Sequence, residues 1–139
     1  MADFPYVVLP SKDGGEVTKP LIPIVLNYTK THKITPSIMA LIDSGADVCF
    51  CLASIGKAMG IQLQKIKTEK TFTTANSTTF KAKPVNINLY VGVGGKSYPC
   101  VFYFTNSLPF QTPIILGQSG FFDHHQITFD AKNKKIVIV

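Results

Sequence analysis

The sequence contains no arginine. All fourteen of its basic residues are lysine, set against eight acidic residues, for a net charge of +6 and a pI near 9.3. A charge of that sign raises the question of nucleic acid. Base readout and bidentate phosphate clamps rely on the planar guanidinium, however, so its absence disfavours a sequence-specific nucleic-acid partner. The lysines are also scattered. Lys132, Lys134 and Lys135 form the one local group, around Asn133 in an expected turn, where solvated charge is the ordinary reading. What is left is weak nonspecific attraction to polyanions.

Cysteine is scarce as well. Cys49, Cys51 and Cys100 are an odd count, which does not suit a disulfide framework. Cys49 and Cys51 stand two apart on an expected strand, on one face and too close for an unstrained bridge. The histidines (His32, His124, His125) do not supplement them at metal-ligand spacing, so buried reduced thiols are expected and no metal or other cofactor. No apolar run approaches the roughly 20 residues a membrane helix needs. The N-terminus, Met1-Ala2-Asp3-Phe4-Pro5, carries an acid where a signal peptide would be basic. The expectation is a cytoplasmic chain with no membrane partner. Two Asn-x-Ser/Thr sequons, at Asn27 and Asn76, carry no meaning without secretion.

What is present is a core. With 139 residues, 45% hydrophobic content and mean hydropathy of +0.20, the chain suits one compact domain spanning residues 1–139. A chain of that length buries roughly two thirds of its unfolded surface. The rhythm is period two, which predicts a mainly β fold. Val85, Ile87, Leu89, Val91 and Val93 alternate with Asn86, Asn88, Tyr90 and Gly92. A Gly94-Gly95 turn then leads into a hairpin partner over Ser97 to Phe104. Leu21 to Tyr28 and Ser37 to Ile42 read as a second pair, joined by the polar loop Thr29 to Thr35. One helix is expected over Leu52 to Met59, with Gly60 in the C-terminal cap position, and a second short one from about Gln118 to His125. The closing Ile136-Val137-Ile138-Val139 is apolar on both faces and predicts a strand covered on both sides.

Two motifs invite other chemistry and do not sustain it. Gly94-Gly95-Lys96-Ser97 resembles the end of a phosphate loop, but that motif needs glycine where Tyr90 stands and a helix where an alternating strand follows. Asp123-His124-His125 with Asp130 suggests metal, yet a helix end with basic residues favoured by its dipole explains it.

Asp43-Ser44-Gly45 is different. It follows the apolar stretch Ile38-Met39-Ala40-Leu41-Ile42 and precedes Ala46-Asp47-Val48. Placing a carboxylate against apolar packing costs several kcal/mol unless something compensates, so an acid there, beside a hydroxyl and a glycine, points to chemistry. Downstream lies Ile114-Ile115-Leu116-Gly117, and then Gly120-Phe121-Phe122-Asp123 and Ile127-Thr128-Phe129-Asp130.

Together these features, from about Pro20 to Val139, resemble the retropepsin-like aspartic peptidases, with the closing segments most like the cellular and bacterial members. The resemblance implies a closed β-barrel acid-protease fold and a homodimer in which two copies of Asp43 face one water to hydrolyse a polypeptide substrate. One carboxylate, ionised, takes a proton from the water; the other, protonated, polarises the scissile carbonyl. Asp47 does not serve as that partner, because four residues along one loop does not place it across a shared water in this family. The resemblance further implies that Ser44 bonds across the dimer and that Gly45 lets the substrate backbone approach closely. Ala46 and Asp47 would contact substrate or buttress the loop, Ile114 to Gly117 would lie beneath the dyad with Ile115 lining the substrate site, and the terminal strand would join an intersubunit sheet. A flap is expected over Thr74-Ala75-Asn76-Ser77-Thr78-Thr79-Phe80, in preference to Gly92 to Gly95. Two departures stand out: Gln118 occupies a position where retroviral members commonly carry an arginine paired with the acid matching Asp47, and the flap lacks a glycine-rich tip. A retropepsin-like module that dimerises or binds peptide with little turnover is the alternative these departures suggest.

Overall fold

A computed structural model describes residues 2–92 and 95–139; Val93 and Gly94, the expected strand end and first turn glycine, lie outside the described residues. The chain is mainly strand. Its elements run β1 (Ala2–Pro5), β2 (Val7–Pro10), β3 (Glu16–Lys19), β4 (Leu21–Tyr28), β5 (Lys33–Ile34), β6 (Ile38–Ile42), β7 (Cys49–Leu52) and the helix α1 (Ala53–Ala58). Then follow β8 (Lys70–Thr73), β9 (Thr79–Tyr90), β10 (Tyr98–Thr105), β11 (Ile114–Leu116), β12 (Ile127–Asp130) and β13 (Lys135–Ile138).

The large sheet closes on itself. Its order is β5-β4-β6-β11-β7-β10-β9-β8, and β4 pairs with β9 as well as with β6, which joins β4, β6, β11, β7, β10 and β9 in a ring. Closure removes the free edges from the central strands. The interior is filled by alternate side chains: Ile22, Ile24 and Leu26 of β4, Ile87 and Leu89 of β9, Phe102 and Phe104 of β10, and Ile114 and Leu116 of β11. The expected all-β barrel is the architecture observed.

One feature of the connectivity creates the site. β11 pairs in parallel with β6 and antiparallel with β7, so it is wedged between two strands that are neighbours in sequence. The link from β6 to β7 must therefore cross over the end of β11, and that link is residues 43–48. Short α1 follows β7 directly; Gly60 behind it takes φ of +80°, the left-handed conformation a helix C-terminus favours.

Three expectations change. The helix expected over Gln118 to His125 is a single 3₁₀ turn, Phe122–His124. The residues before it are drawn instead into backbone hydrogen bonds with the 43–48 link, from Gln118 to Ala46 and from Ser119 to Asp47. The clearest strand begins earlier than its apolar alternation, at Thr79, because the β8–β9 hairpin extends it with polar residues beyond the core. The terminal strand is covered on one side: Ile136 and Ile138 are fully buried, whereas Val137 is half-buried and Val139 exposed. Both backbone edges of β13 are already taken, by β1 and β12 of the same chain, so it has no edge to offer to a second subunit.

The 3₁₀ turn carries a pH-sensitive contact. The Tyr98 hydroxyl lies 3.0 Å from the Gly120 carbonyl oxygen and 3.0 Å from His125 Nε2. Burial holds His125 below its ordinary pKa, with His124 pushing the same way and Asp123 opposing. Because the neutral ring is the one favoured by folding, its contribution is complete above the unfolded value of about 6.5 and is lost as pH falls through the lowered folded value. Thermal unfolding is therefore expected to occur at lower temperature as pH drops below about 6.5, and His125→Gln to flatten that dependence. An unchanged pH profile in the variant would contradict the assignment.

Candidate active site

The crossing link holds Asp43, Ser44, Gly45, Ala46 and Asp47, and it is tied down at both ends. Asp43 N–H donates to Leu116 O at 3.0 Å, Ala46 N–H to Asp43 O at 3.1 Å, Gln118 N–H to Ala46 O at 2.8 Å and Ser119 N–H to Asp47 O at 2.9 Å. The exit from β11 thus forms a strap beneath the link. Gly117 is the tightest point: a Cβ there would lie 2.1 Å from Val48 O and 2.7 Å from Ala46 O.

Asp43 is half-buried rather than sealed in the core, which corrects the expectation of a carboxylate surrounded by apolar packing. Its placement is compensated locally, since Oδ1 accepts the Gly45 N–H at 2.9 Å. A Cβ at Gly45 would stand 3.2 Å from that same oxygen, so the glycine leaves the carboxylate uncrowded. Ser44 and Asp47 are exposed and Ala46 is half-buried.

Gln118 has a defined role. Its side-chain Nε2 donates to Ser44 O at 2.8 Å, adding a tether from the strap to the tripeptide itself. The exposed amide holds the backbone at Ser44 and carries no ion pair with Asp47. Gln118→Ala is expected to cost about 1 kcal/mol of stability or less, the net worth of one exposed hydrogen bond. Urea unfolding checks this; a loss of several kcal/mol would mean the tether supports more than the link.

Above the link lies a groove of about 560 Å³. Asp43, Gly45, Ala46 and Asp47 line one wall, Ile115 of β11 the floor, and Thr74, Ala75 and Thr78 of the β8–β9 hairpin the roof. Of the residues singled out in the sequence, Ser44, Asn76 and Ser77 do not line it. Ser44 turns its backbone to Gln118, while Asn76 and Ser77 form the hairpin tip. That tip manages without glycine: Thr74 N–H donates to Thr78 O at 2.8 Å, Thr78 N–H to Asn76 Oδ1 at 3.3 Å, and Ser77 takes φ of +67°.

Beyond Ile115 and the flap residue Phe80, sequence reasoning missed the groove's apolar lining. Phe50 of β7, Phe72 of β8, Phe80 of β9 and Leu108 all border it. Phe72 and Phe80 are cross-strand partners, with ring centroids 5.6 Å apart, and both meet Phe50, at 4.8 and 5.5 Å. Tyr103 closes the cluster from β10, 5.2 Å from Phe72. Edge-to-face and offset contacts of this kind add about 0.5–1.5 kcal/mol per pair beyond area burial, so the base of the hairpin is clamped to the barrel while its tip stays exposed. The signal was available: two phenylalanines stand symmetrically about a polar turn.

No family model and no curated protein matches the sequence. Solved structures do match its fold. A retropepsin-like aspartic protease from Rickettsia conorii superposes with a TM-score of 0.62 at 18% identity, covering 99% of this chain and 99% of that one. The retroviral protease-like domain of Ddi1 from Leishmania major gives a TM-score of 0.59 at 17% identity, with 88% and 89% of the two chains covered. The molecule has the retropepsin-like aspartic protease fold. Among the described residues no cluster of His, Cys, Asp or Glu suits a metal ion, and no helix is long and apolar enough to cross a membrane.

Proposed function

We propose that the chain is an aspartic endopeptidase, active as a homodimer in which each subunit contributes Asp43. The observation that carries this reading is the placement of Asp43 at the wall of a groove roofed by a β-hairpin, in a fold shared with aspartic proteases. Each chain has one Asp-Ser-Gly, so the second carboxylate comes from a second copy across a two-fold axis. Two carboxylates that close together share one proton and titrate as a pair, a behaviour for which aspartic proteases are the general example. The ionised member takes a proton from the attacking water while its partner protonates the carbonyl oxygen of the scissile bond.

The groove suits an extended peptide. The hairpin tip would offer backbone hydrogen bonds along the substrate, and Phe50, Phe72, Phe80, Leu108 and Ile115 would receive its apolar side chains. Ala46 and Asp47 would border the peptide beside the dyad, and Ser44 would hold the two links in register. The test is incubation with unfolded polypeptides from about pH 4 to 7, with activity strongest on the mildly acidic side where the pair retains its proton. Absence of cleavage throughout that range would favour a binding module instead.

A further inference from the structure

The mechanism above makes no use of the cysteines, yet two of them sit directly under the strap. Cys49 opens β7, and its Sγ accepts the Gly117 N–H at 3.4 Å and donates to Ser119 O at 3.7 Å. Cys100 belongs to β10, the neighbouring strand, and both residues are buried. Gly120, with φ of +110°, lets both sulfurs pack against it: a Cβ at that position would lie 2.7 Å from Cys100 Sγ and 3.2 Å from Cys49 Sγ. The two sulfurs thus converge on the space that a side chain at Gly120 would fill.

We propose that Cys49 and Cys100 form a reversible intramolecular disulfide under peroxide, and that its formation loosens the strap Gly117 to Ser119 beneath the Asp43 link. The chemistry needs only hydrogen peroxide as the oxidant. The Cys49 sulfur attacks one peroxide oxygen, the O–O bond breaks, and the departing hydroxide takes the thiol proton to leave as water. The Cys100 sulfur then attacks the resulting sulfenic acid, the S–O bond breaks, and the second hydroxide leaves as water with the Cys100 proton. Two thiols lose two protons and two electrons, and peroxide is reduced to two waters.

Cys49 is suited to the first step. The Cys100 thiol beside it holds it below the ordinary thiol range, against the opposing effect of burial, and the Gly117 N–H assists. Cys100 is pushed up by Cys49 and by burial, as expected of the resolving partner. Cys51 provides an internal control, since burial alone pushes it up and no cysteine faces it. The coupling to the strap is direct. Forming the S–S bond consumes the proton that Cys49 donates to Ser119 O and draws its sulfur away from the Gly117 N–H.

The experiment is peptide mapping by mass spectrometry, without reduction, of the full chain after hydrogen peroxide treatment, alongside amide exchange. The expected result is a link between the peptides carrying Cys49 and Cys100, lighter by two hydrogens, reversed by dithiothreitol, with Cys51 free. Exchange at the Gly117, Gln118 and Ser119 amides should rise about fivefold, the effect of one lost hydrogen bond. Cys51→Ser should leave the link intact, and Cys100→Ser should abolish it. A link through Cys51, a link between molecules, sulfinic acid without a link, or three unreacted thiols would each overturn the proposal, as would unchanged exchange at the strap. None of these readouts depends on peptidase activity.

Discussion

Replacing Asp43 with Asn is expected to lower kcat/KM for peptide cleavage by about a thousandfold or more while leaving the fold in place. The magnitude follows from the proposed role: positioned general acid–base catalysis contributes about 10²–10⁴ in rate, and in the proposed dyad one residue type would supply both the base and the acid. The amide keeps an oxygen to accept the Gly45 N–H, so the link retains its local hydrogen bond. It cannot take a proton from water. Thermal unfolding of the variant should be unchanged or slightly higher in temperature, because the proposed dimer would no longer confine two carboxyl groups to one shared proton. Cleavage by Asp43→Asn at a rate near that of the parent would remove Asp43 from the chemistry.

The second large effect concerns stability. Gly117→Ala is expected to destabilise the protein by more than about 4 kcal/mol, a size reserved for substitutions the structure cannot absorb. The added methyl would fall 2.1 Å from Val48 O, 2.7 Å from Ala46 O and 2.7 Å from Val48 C, all of them backbone atoms with no rotamer to change. Relief requires moving the strap away from the link, which breaks the hydrogen bonds from Gln118 to Ala46 and from Ser119 to Asp47. Those bonds are worth about 1 kcal/mol each, and the underlying core is disturbed as well. Urea unfolding measures the loss; a midpoint close to that of the parent would contradict so tight a crossing.

How far the sequence discloses this arrangement depends on the range of the interaction. Most local signals were faithful, the helix expected over Gln118 to His125 being the exception. The alternation from Leu21 to Tyr28 became β4 with those ends, Gly60 took its left-handed conformation behind α1, and the run from Ser97 to Phe104 became β10 within a residue. Pairings between distant segments left no such mark. Nothing in Ile114-Ile115-Leu116 says that it inserts between β6 and β7, or that β4 meets β9 to close the ring. The strands β2 and β3 also escaped notice, because Val7–Pro10 and Glu16–Lys19 are short, half-exposed and bounded by Pro10 and Pro20 at their C-terminal ends.

The site divides in the same way. Asp43-Ser44-Gly45 stood out because an acid within apolar sequence is costly, and that contrast survives any fold. Phe50 did not stand out: it sits among Cys49, Cys51 and Leu52 in a strand buried on both faces, where an aromatic residue reads as ordinary core. Only the hairpin folding back above β7 turns it into groove lining, through Phe72 and Phe80. The terminal strand misled for a related reason. Four apolar residues predicted cover on both faces, whereas Val137 is half-buried, Val139 is exposed, and β1 and β12 of the same chain lie along the two edges of β13. A two-fold contact would therefore use other strand edges or side-chain surfaces, with the Asp43 links brought together from the groove side.

Mixing the parent protein with Asp43→Asn at fixed total concentration, allowing subunits to exchange, and following peptide cleavage tests the shared dyad most directly. If each active unit needs one Asp43 from each of two chains, activity falls with the square of the parent fraction, so an equal mixture keeps about a quarter of the starting rate. A straight-line fall, with about half the rate retained, would mean that a single chain is sufficient and would contradict the account.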